Sequence, residues 1–133
     1  MGKKKVLFFN AKREKCNSDS PHLGLGVLAA VLKESGHDVL VVDYQFKPQA
    51  PSPKKFIQTY EPDVIGLTLY TATMKEADKI LEEIKKFDKP ILLGGPHATL
   101  YYDTLVKKAN YIIVGEAERI ISEVVEGAEV TSK

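Results

Sequence analysis

Residues 89–99 read Lys-Pro-Ile-Leu-Leu-Gly-Gly-Pro-His-Ala-Thr, a short apolar run that ends in two glycines. Residues 91–93 have the pattern of a strand buried on both faces, as in a parallel sheet covered by helices. Gly94 and Gly95 remove side chains where the backbone leaves the sheet, so a ligand or another backbone segment can approach closely. Because open parallel sheets bind ligands beyond the carboxyl ends of their strands, this glycine pair marks either a tight turn or a binding site.

The composition excludes several classes of protein. Of 133 residues, 44% are hydrophobic and 28% charged, and we expect one globular domain over residues 1–133. Nineteen basic and eighteen acidic side chains leave a net charge of +1, which argues against a nucleic-acid partner. No apolar run approaches the roughly 20 residues that span a bilayer. Nothing resembles a secretory signal either, so we expect no membrane partner and a cytoplasmic location.

Cys16 is the only cysteine of the chain. The chain therefore has no disulfide framework, no multi-cysteine zinc site and no iron–sulfur cluster of its own. Cys16 lies in a polar segment, residues 10–21, that lacks helical or strand periodicity. Loops of this length in compact domains are often functional, so Cys16 is either a reactive thiol or an ordinary loop cysteine.

Apolar runs of strand length alternate with helical patterns along the chain. Strands are predicted over residues 5–9, 39–42, 63–69, 91–93 and 111–114. Helices are predicted over residues 23–36, 53–60, 74–87, 100–107 and 120–127. This alternation indicates an α/β, doubly wound, Rossmann-like fold: a five-stranded parallel sheet with helices on both faces. We predict the flavodoxin-like strand order 2-1-3-4-5, which places the binding crevice between the first and third strands.

The first predicted helix begins Gly24-Leu25-Gly26-Val27-Leu28-Ala29, which matches the dinucleotide fingerprint G-x-G-x-x-G/A, and Asp43 ends the next strand. The fingerprint requires its first glycine directly after the first strand, whereas residues 10–23 intervene here. A nucleotide-dependent oxidoreductase domain that uses residues 24–29 and Asp43 stays open as an alternative. The other interpretation is a helix whose small residues pack closely on the sheet, with Val27 on its buried face.

Three other uses of an α/β fold fit poorly. A phosphoryl-accepting receiver needs an aspartate at the end of the third strand, where Thr68 stands. A flavin mononucleotide domain needs a loop rich in Ser, Thr and Gly after the first strand, where the sequence reads Ala11-Lys12-Arg13-Glu14-Lys15. A serine hydrolase needs a G-x-S-x-G nucleophile elbow, which the sequence lacks.

Four blocks of sequence resemble one known family. They are residues 21–37 (beginning Pro-His-Leu-Gly-Leu-Gly), 64–68 (Val-Ile-Gly-Leu-Thr), 92–99 (Leu-Leu-Gly-Gly-Pro-His-Ala-Thr) and 111–118 (Tyr-Ile-Ile-Val-Gly-Glu-Ala-Glu). In this order, and over nearly the full chain, they resemble the N-terminal cobalamin-binding domain of cobalamin-dependent radical S-adenosylmethionine enzymes. The resemblance implies that cobalamin is held at the carboxyl ends of the strands. The corrin ring would lie over those ends, and the nucleotide tail would enter a cleft beside the sheet.

The resemblance also implies which residues hold the cofactor. The expected cobalamin-binding residues are Leu23, Gly24, Leu25, Gly26, Thr68, Tyr70, Thr71, Thr73, Gly94, Gly95, Pro96, His97, Gly115 and Glu116. The threonines offer hydroxyls to the amide-fringed macrocycle, and the tyrosine offers a flat apolar face. We expect His97 to line the site without binding cobalt, and His37 to be a surface residue.

The candidate for a cobalt ligand is His22. Related mutases and methyltransferases bind cobalt through the histidine of a D-x-H-x-x-G motif, whereas residues 19–24 here have the spacing D-x-x-H-x-G. His22 is therefore expected either as a metal ligand or as an exposed loop histidine. The family usually has proline where His22 stands and glycine where Ala117 stands.

The function that the resemblance implies is a cobalamin-binding module of, or partner to, a radical S-adenosylmethionine enzyme. Methyl transfer or radical chemistry would take place in a catalytic domain joined in cis or in trans. That domain would hold the iron–sulfur cluster and S-adenosylmethionine, because one cysteine cannot supply the three-cysteine motif. This chain alone is then not a complete enzyme. Besides the oxidoreductase domain, a module of the same fold that serves only as an interaction domain stays open.

Overall fold

A computed structural model of the chain describes residues 3–12 and 23–127. The predictions for Cys16 and His22 fall outside these residues, and so does the side chain of Leu23. The described residues form one parallel sheet in the order β2-β1-β3-β4-β5, which confirms the predicted topology. The strands are β1 (Lys5–Asn10), β2 (Asp38–Asp43), β3 (Val64–Thr68), β4 (Ile91–Gly94) and β5 (Tyr111–Ile112).

Within the described residues, five α-helices connect and follow the strands. They are α1 (Leu23–Glu34), α2 (Pro53–Tyr60), α3 (Met74–Ile84), α4 (Pro96–Leu105) and α5 (Ile121–Val125). Single turns of 3₁₀ helix precede and follow α3, at Thr71–Thr73 and Lys85–Phe87. α4 begins four residues before its predicted start at residue 100, because proline fits the first turn of a helix and Gly95 supplies the turn before it.

Side-chain alternation along β1 divides the core into two layers. Leu7 and Phe9 belong to the apolar cluster that α2, α3 and α4 cover. Val6 and Phe8 belong to the cluster on the opposite face, which α1 and α5 cover. All four side chains are at most 3% exposed, and the burial of each such side chain contributes about 1.5–3 kcal/mol. Helices on both faces are therefore confirmed.

The predicted buried face of α1 is confirmed at Leu32 and, in part, at Leu28 and Val31, but it is wrong at Val27. The helix buries Leu25, Ala29 and Leu32, which follow the i, i+4, i+7 spacing of a single stripe. Val27 is 41% exposed, since it lies about 200° around the helix from Leu25. The sequence placed this valine on the wrong face because apolar residues surround α1 more evenly than one stripe requires.

His37 is buried, which corrects the prediction of a surface residue. It is 5% exposed and follows Gly36, whose φ of +93° ends the turn after α1. Its Nδ1 accepts a hydrogen bond from the Lys4 amide at 3.0 Å, and its Nε2 lies 2.9 Å from Glu126 Oε2. Because Nδ1 accepts, the imidazole proton lies on Nε2 and is donated to the carboxylate. This ring thereby joins the segment before β1, the start of β2 and the end of α5.

No helix in the described part of the chain is long and apolar enough to cross a bilayer.

Candidate functional site

A cavity of about 480 Å³ opens at the carboxyl-terminal edge of the sheet, on the face that α1 and α5 cover. This volume lies within the range of small-molecule and cofactor sites. Its apolar lining comes from both helices and four strands or strand ends: Phe8, Leu25, Leu28, Leu67, Leu92, Ile113 and Ile121. The edge on which it opens is where doubly wound sheets bind their ligands.

The cavity brings together many of the residues expected at the cofactor site. Those that line it are Gly24, Leu25, Thr68, Tyr70, Gly94, Gly95, Pro96, Gly115 and Glu116. They come from α1, from the last residues of β3 and β4, and from the residues that follow β3, β4 and β5, so they are far apart in sequence. Their assignment as cobalamin contacts stays a prediction.

Of the other expected residues, four whose side chains the structure describes do not line the cavity: Gly26, Thr71, Thr73 and His97. Gly26 is exposed on α1, and a Cβ added there would meet nothing within 4 Å, so close packing on the sheet does not explain this glycine. Thr73 is buried, and its hydroxyl donates to the Tyr70 carbonyl at 3.2 Å. Thr71 Oγ1 lies 3.0 Å from His97 Nδ1, and the His97 ring packs against Tyr101. Thr71 and His97 thus form a separate polar pair that joins the loop after β3 to α4.

Sequence reasoning missed further lining residues, which are mostly apolar. They are Phe8, Leu28, Leu67, Leu92, Thr99, Leu100, Ile113, Ala117, Glu118 and Ile121. Strand alternation was the usable signal for Phe8 and Leu92, which lie on the same face of the sheet. A core residue and a cavity residue have the same sequence pattern, so periodicity alone does not separate them.

The charges of the lining are acidic. Glu116 and Glu118 lie at the cavity, and no lysine, arginine or histidine is among the described residues that line it. A pyrophosphate would find no cationic side chain there, although Arg and Lys are the usual partners of phosphate groups. A largely apolar group suits the interior of this cavity better.

Gly94 and Gly95 have different roles. Gly95 has φ +99°, and a Cβ there would lie 2.7 Å from Leu69 O and 2.8 Å from Thr68 Oγ1. The loop is held close to the end of β3, because the Leu69 amide donates to Gly94 O at 2.7 Å and the His97 amide donates to Leu69 O at 3.0 Å. A Cβ on Gly94 would meet nothing within 4 Å, and this residue faces open space in the cavity. Gly95 therefore makes the tight turn, and Gly94 leaves the cavity open.

The residues of the dinucleotide alternative do not share one site. Gly24 lines the cavity, but Asp43 does not. The Asp43 carboxylate accepts hydrogen bonds from Asn10 Nδ2 at 2.9 Å and from the Gln45 amide at 3.0 Å, as the turn after β2 requires. Within residues 3–12 and 23–127, no three His, Cys, Asp or Glu side chains form a group that could hold a metal ion.

The fold and the apolar cavity define a cofactor-binding domain of the doubly wound class. Residues 13–125 match the family described as the B12 binding domain. Since this match covers most of the chain, the chain belongs to the B12-binding domain family, whose cofactor is cobalamin.

Two curated proteins are similar to most of this chain. An uncharacterized methyltransferase of Pyrococcus horikoshii is 29% identical over 112 residues, which are 80% of this chain and 24% of the relative. The anaerobic magnesium-protoporphyrin IX monomethyl ester cyclase of Rubrivivax gelatinosus is 30% identical over 112 residues, which are 79% of this chain and 20% of the cyclase. The chain thus spans about a quarter or less of the length of these relatives.

Two solved structures share the fold. The radical S-adenosylmethionine methyltransferase TsrM from Kitasatospora setae has a TM-score of 0.81 at 22% identity, covering 96% of this chain and 27% of that protein. The cobalamin-dependent S-adenosylmethionine radical enzyme OxsB, solved with aqua-cobalamin bound, has a TM-score of 0.76 at 19% identity, covering 93% of this chain and 18% of that one. Together with the family match, these likenesses confirm the resemblance described from the sequence.

Proposed function

We propose that this chain holds cobalamin with the nucleotide tail in the cavity and the corrin ring over the carboxyl ends of the strands. The observation that carries the proposal is the cavity itself, which has a volume of about 480 Å³ and a largely apolar lining. The tail of cobalamin ends in an aromatic base, which matches the apolar part of this lining. The phosphodiester that links the base to the corrin would lie at the mouth of the cavity, in contact with solvent.

The apolar lining dominates the expected affinity. A bicyclic aromatic group buries about 150–250 Å², and at about 25 cal/mol per Å² this contributes about 4–6 kcal/mol. One hydrogen bond contributes about 1 kcal/mol net. The apolar side chains of the lining, taken together, would therefore provide most of the binding energy. Thr68 and the Glu116 carboxylate would orient the cofactor through its polar groups.

We propose further that the loaded domain serves a radical S-adenosylmethionine enzyme. Bound cobalamin would supply methyl-group transfer or take part in radical chemistry. The iron–sulfur cluster and S-adenosylmethionine would belong to a catalytic domain, in cis or in trans, because this chain has one cysteine. The relatives named as a methyltransferase and as radical enzymes support this proposal. The cytoplasm is the proposed compartment.

The mouth of the cavity is the proposed place where the catalytic domain covers the cofactor. Leu100 lines the cavity and is 70% exposed. Such apolar surface beside a ligand site is typical of a surface that another domain buries.

Corrinoid retention tests the proposed function. The purified chain is mixed with hydroxocobalamin, desalted and examined by visible absorption, with flavin mononucleotide and NAD in parallel samples. We expect retention of the corrinoid alone. Gly94→Val should abolish retention without unfolding the protein, since it fills open space in the cavity. Ala30→Val, at an exposed position of α1, is the matched control. Retention of a flavin or a dinucleotide in place of the corrinoid would overturn the proposal.

A further inference from the structure

Thr99 connects two loops that line the cavity. It lies in the first turn of α4 and lines the cavity itself. Its hydroxyl donates to the Gly95 carbonyl at 3.1 Å and accepts a hydrogen bond from the Gly115 amide at 2.9 Å. One side chain therefore bridges the loop after β4 and the loop after β5.

The direction of these bonds is fixed by the number of hydrogens. A threonine hydroxyl has one hydrogen and two lone pairs. The hydrogen is used by Gly95 O, which also accepts the Thr99 amide at 3.0 Å. The hydroxyl oxygen is therefore an acceptor on the side that faces Gly115. Serine can make the same pair of bonds, whereas valine, which has the same shape as threonine, can make neither.

The loop after β5 is anchored at its two ends. At its start, the Ile113 amide donates to Leu93 O at 2.8 Å, and at its end the amides of Ile120 and Ile121 donate to Ala117 O. Gly115 lies between these anchors with φ +87°. Of the bonds found among the described residues, the one to Thr99 is the hydrogen bond that ties this glycine to the neighbouring loop.

The same loop supplies much of the polar lining. Gly115, Glu116, Ala117 and Glu118 all line the cavity. The loop after β5 forms the wall of the cavity that carries Glu116 and Glu118, and the segment after β4 forms the wall that carries Gly94 and Gly95. A change in the position of Gly115 therefore moves the first wall relative to the second. The distance between the walls sets the width of the cavity.

We propose that Thr99 is a positioning residue for the cofactor, because its hydroxyl holds the loop after β5 at the distance from Gly95 that the bound corrinoid requires. This inference rests on the proposed function. Because most affinity differences between variants of one binding site appear in the dissociation rate, loss of the bridge should raise the dissociation rate more than it lowers the association rate.

Three variants test the bridge. Thr99→Val removes both hydrogen bonds and keeps the side-chain shape. Thr99→Ser keeps both bonds. Thr104→Val is the matched control, because Thr104 also lies on α4 and its hydroxyl donates to the Tyr101 carbonyl at 2.8 Å, away from the cavity.

The first measurement is the dissociation rate of hydroxocobalamin from the 133-residue chain, followed by visible absorption. We expect Thr99→Val to raise the rate and the dissociation constant roughly tenfold, which corresponds to about 1.4 kcal/mol. Thr99→Ser should stay within about twofold of the wild type, and Thr104→Val should equal the wild type. Equal rates for Thr99→Val and the wild type, or an equal rise in Thr104→Val, would overturn the inference.

The second measurement separates positioning from a general loss of stability. Hydrogen exchange of the Gly115 amide should become faster in Thr99→Val, while exchange of the Ile113 amide, bonded to Leu93 O, should not change. Faster exchange at both amides would show a merely structural role. A wild-type chain that retains no corrinoid would overturn the proposed function, whereas wild-type retention with unaltered Thr99→Val kinetics overturns this inference alone.

Discussion

Phe8 on β1 lies directly opposite Gly66 on β3, and the absence of a side chain at Gly66 makes room for the Phe8 ring. A Cβ built on Gly66 would overlap the ring, with Cε1 at 2.6 Å. Phe8 is 3% exposed and lines the cavity. A glycine in the middle of a central strand, usually unfavourable, thereby shapes one surface of the proposed cofactor site.

Gly66→Ala should displace the Phe8 ring. We expect a loss of about 1–3 kcal/mol in the free energy of unfolding, the usual cost of an overpacked core, together with faster corrinoid dissociation. Urea denaturation and visible absorption measure the two effects. Gly26→Ala is the control for stability, since its Cβ meets nothing within 4 Å and alanine favours the helix. A Gly66→Ala protein as stable as the wild type would contradict this account of the Phe8–Gly66 pair.

Adjacent glycines should respond differently to the same substitution. Gly95→Ala places a Cβ against the backbone of Leu69 at a positive φ, so we expect a loss of about 2 kcal/mol or more in stability. Gly94→Ala should change the free energy of unfolding by less than about 0.5 kcal/mol. Urea denaturation measures the free energy of unfolding of both variants. Equal losses in Gly95→Ala and Gly94→Ala would show that the two positions have been assigned the wrong roles.

His37→Ala should destabilise the fold by about 2 kcal/mol. The substitution leaves the Lys4 amide and the Glu126 carboxylate without their partner, and an unsatisfied part-buried group costs about 1–3 kcal/mol. His97→Ala is the matched control, because its ring is less buried, and it should cost less than about 1 kcal/mol. Denaturant unfolding at pH 7 gives both values. A larger loss in the control than in His37→Ala would contradict the role given to the buried histidine.

The Tyr44 hydroxyl should make stability sensitive to alkaline pH. Burial, and then the Glu83 carboxylate, raises the pKa of Tyr44 far above its usual range. The unfolded chain therefore loses this proton first, so the contribution of Tyr44 is complete below about pH 10 and declines as the pH rises further. Tyr44→Phe should lose about 1 kcal/mol at pH 7, because the bond from its hydroxyl to Pro51 O at 2.6 Å is removed.

Between about pH 9 and pH 11, the free energy of unfolding should therefore fall less in Tyr44→Phe than in the wild type. Unfolding by urea over this range measures the difference. Burial also raises the pKa of Tyr60, and this contribution is common to both proteins, so it cancels in the comparison. Tyr102→Phe, at an exposed tyrosine of α4, should follow the wild-type profile. Parallel curves for Tyr44→Phe and the wild type would contradict the prediction.

The sheet could be predicted from sequence because its strands are short apolar runs between clear helix signals. The order 2-1-3-4-5 followed from the α/β alternation, and the structure confirms it. The beginning of α4 was missed because Pro96 and His97 were assigned to a binding loop, although proline after glycine is also a signal for the start of a helix.

Side-chain environment was harder to predict than topology. His37 follows a helix-ending glycine, where polar residues are usually exposed, but its partner Glu126 is 89 residues away in sequence. Long-range pairs of this kind leave no local pattern. For the same reason, no local pattern indicates that Thr71 pairs with His97 at a distance from the cavity. The glycines that follow β4 and β5, in contrast, are visible as breaks in apolar runs.

In the proposed complex, the nucleotide tail of cobalamin occupies the cavity beside Phe8 and Gly94. Calorimetric titration of the chain with cobalamin and with cobinamide, the corrinoid that lacks the nucleotide tail, tests this claim most directly. We predict that one cobalamin binds per chain, at least about tenfold more tightly than cobinamide, a difference of about 1.4 kcal/mol or more. In Gly94→Val this preference should disappear. Equal affinity of the wild-type chain for the two corrinoids would contradict the account.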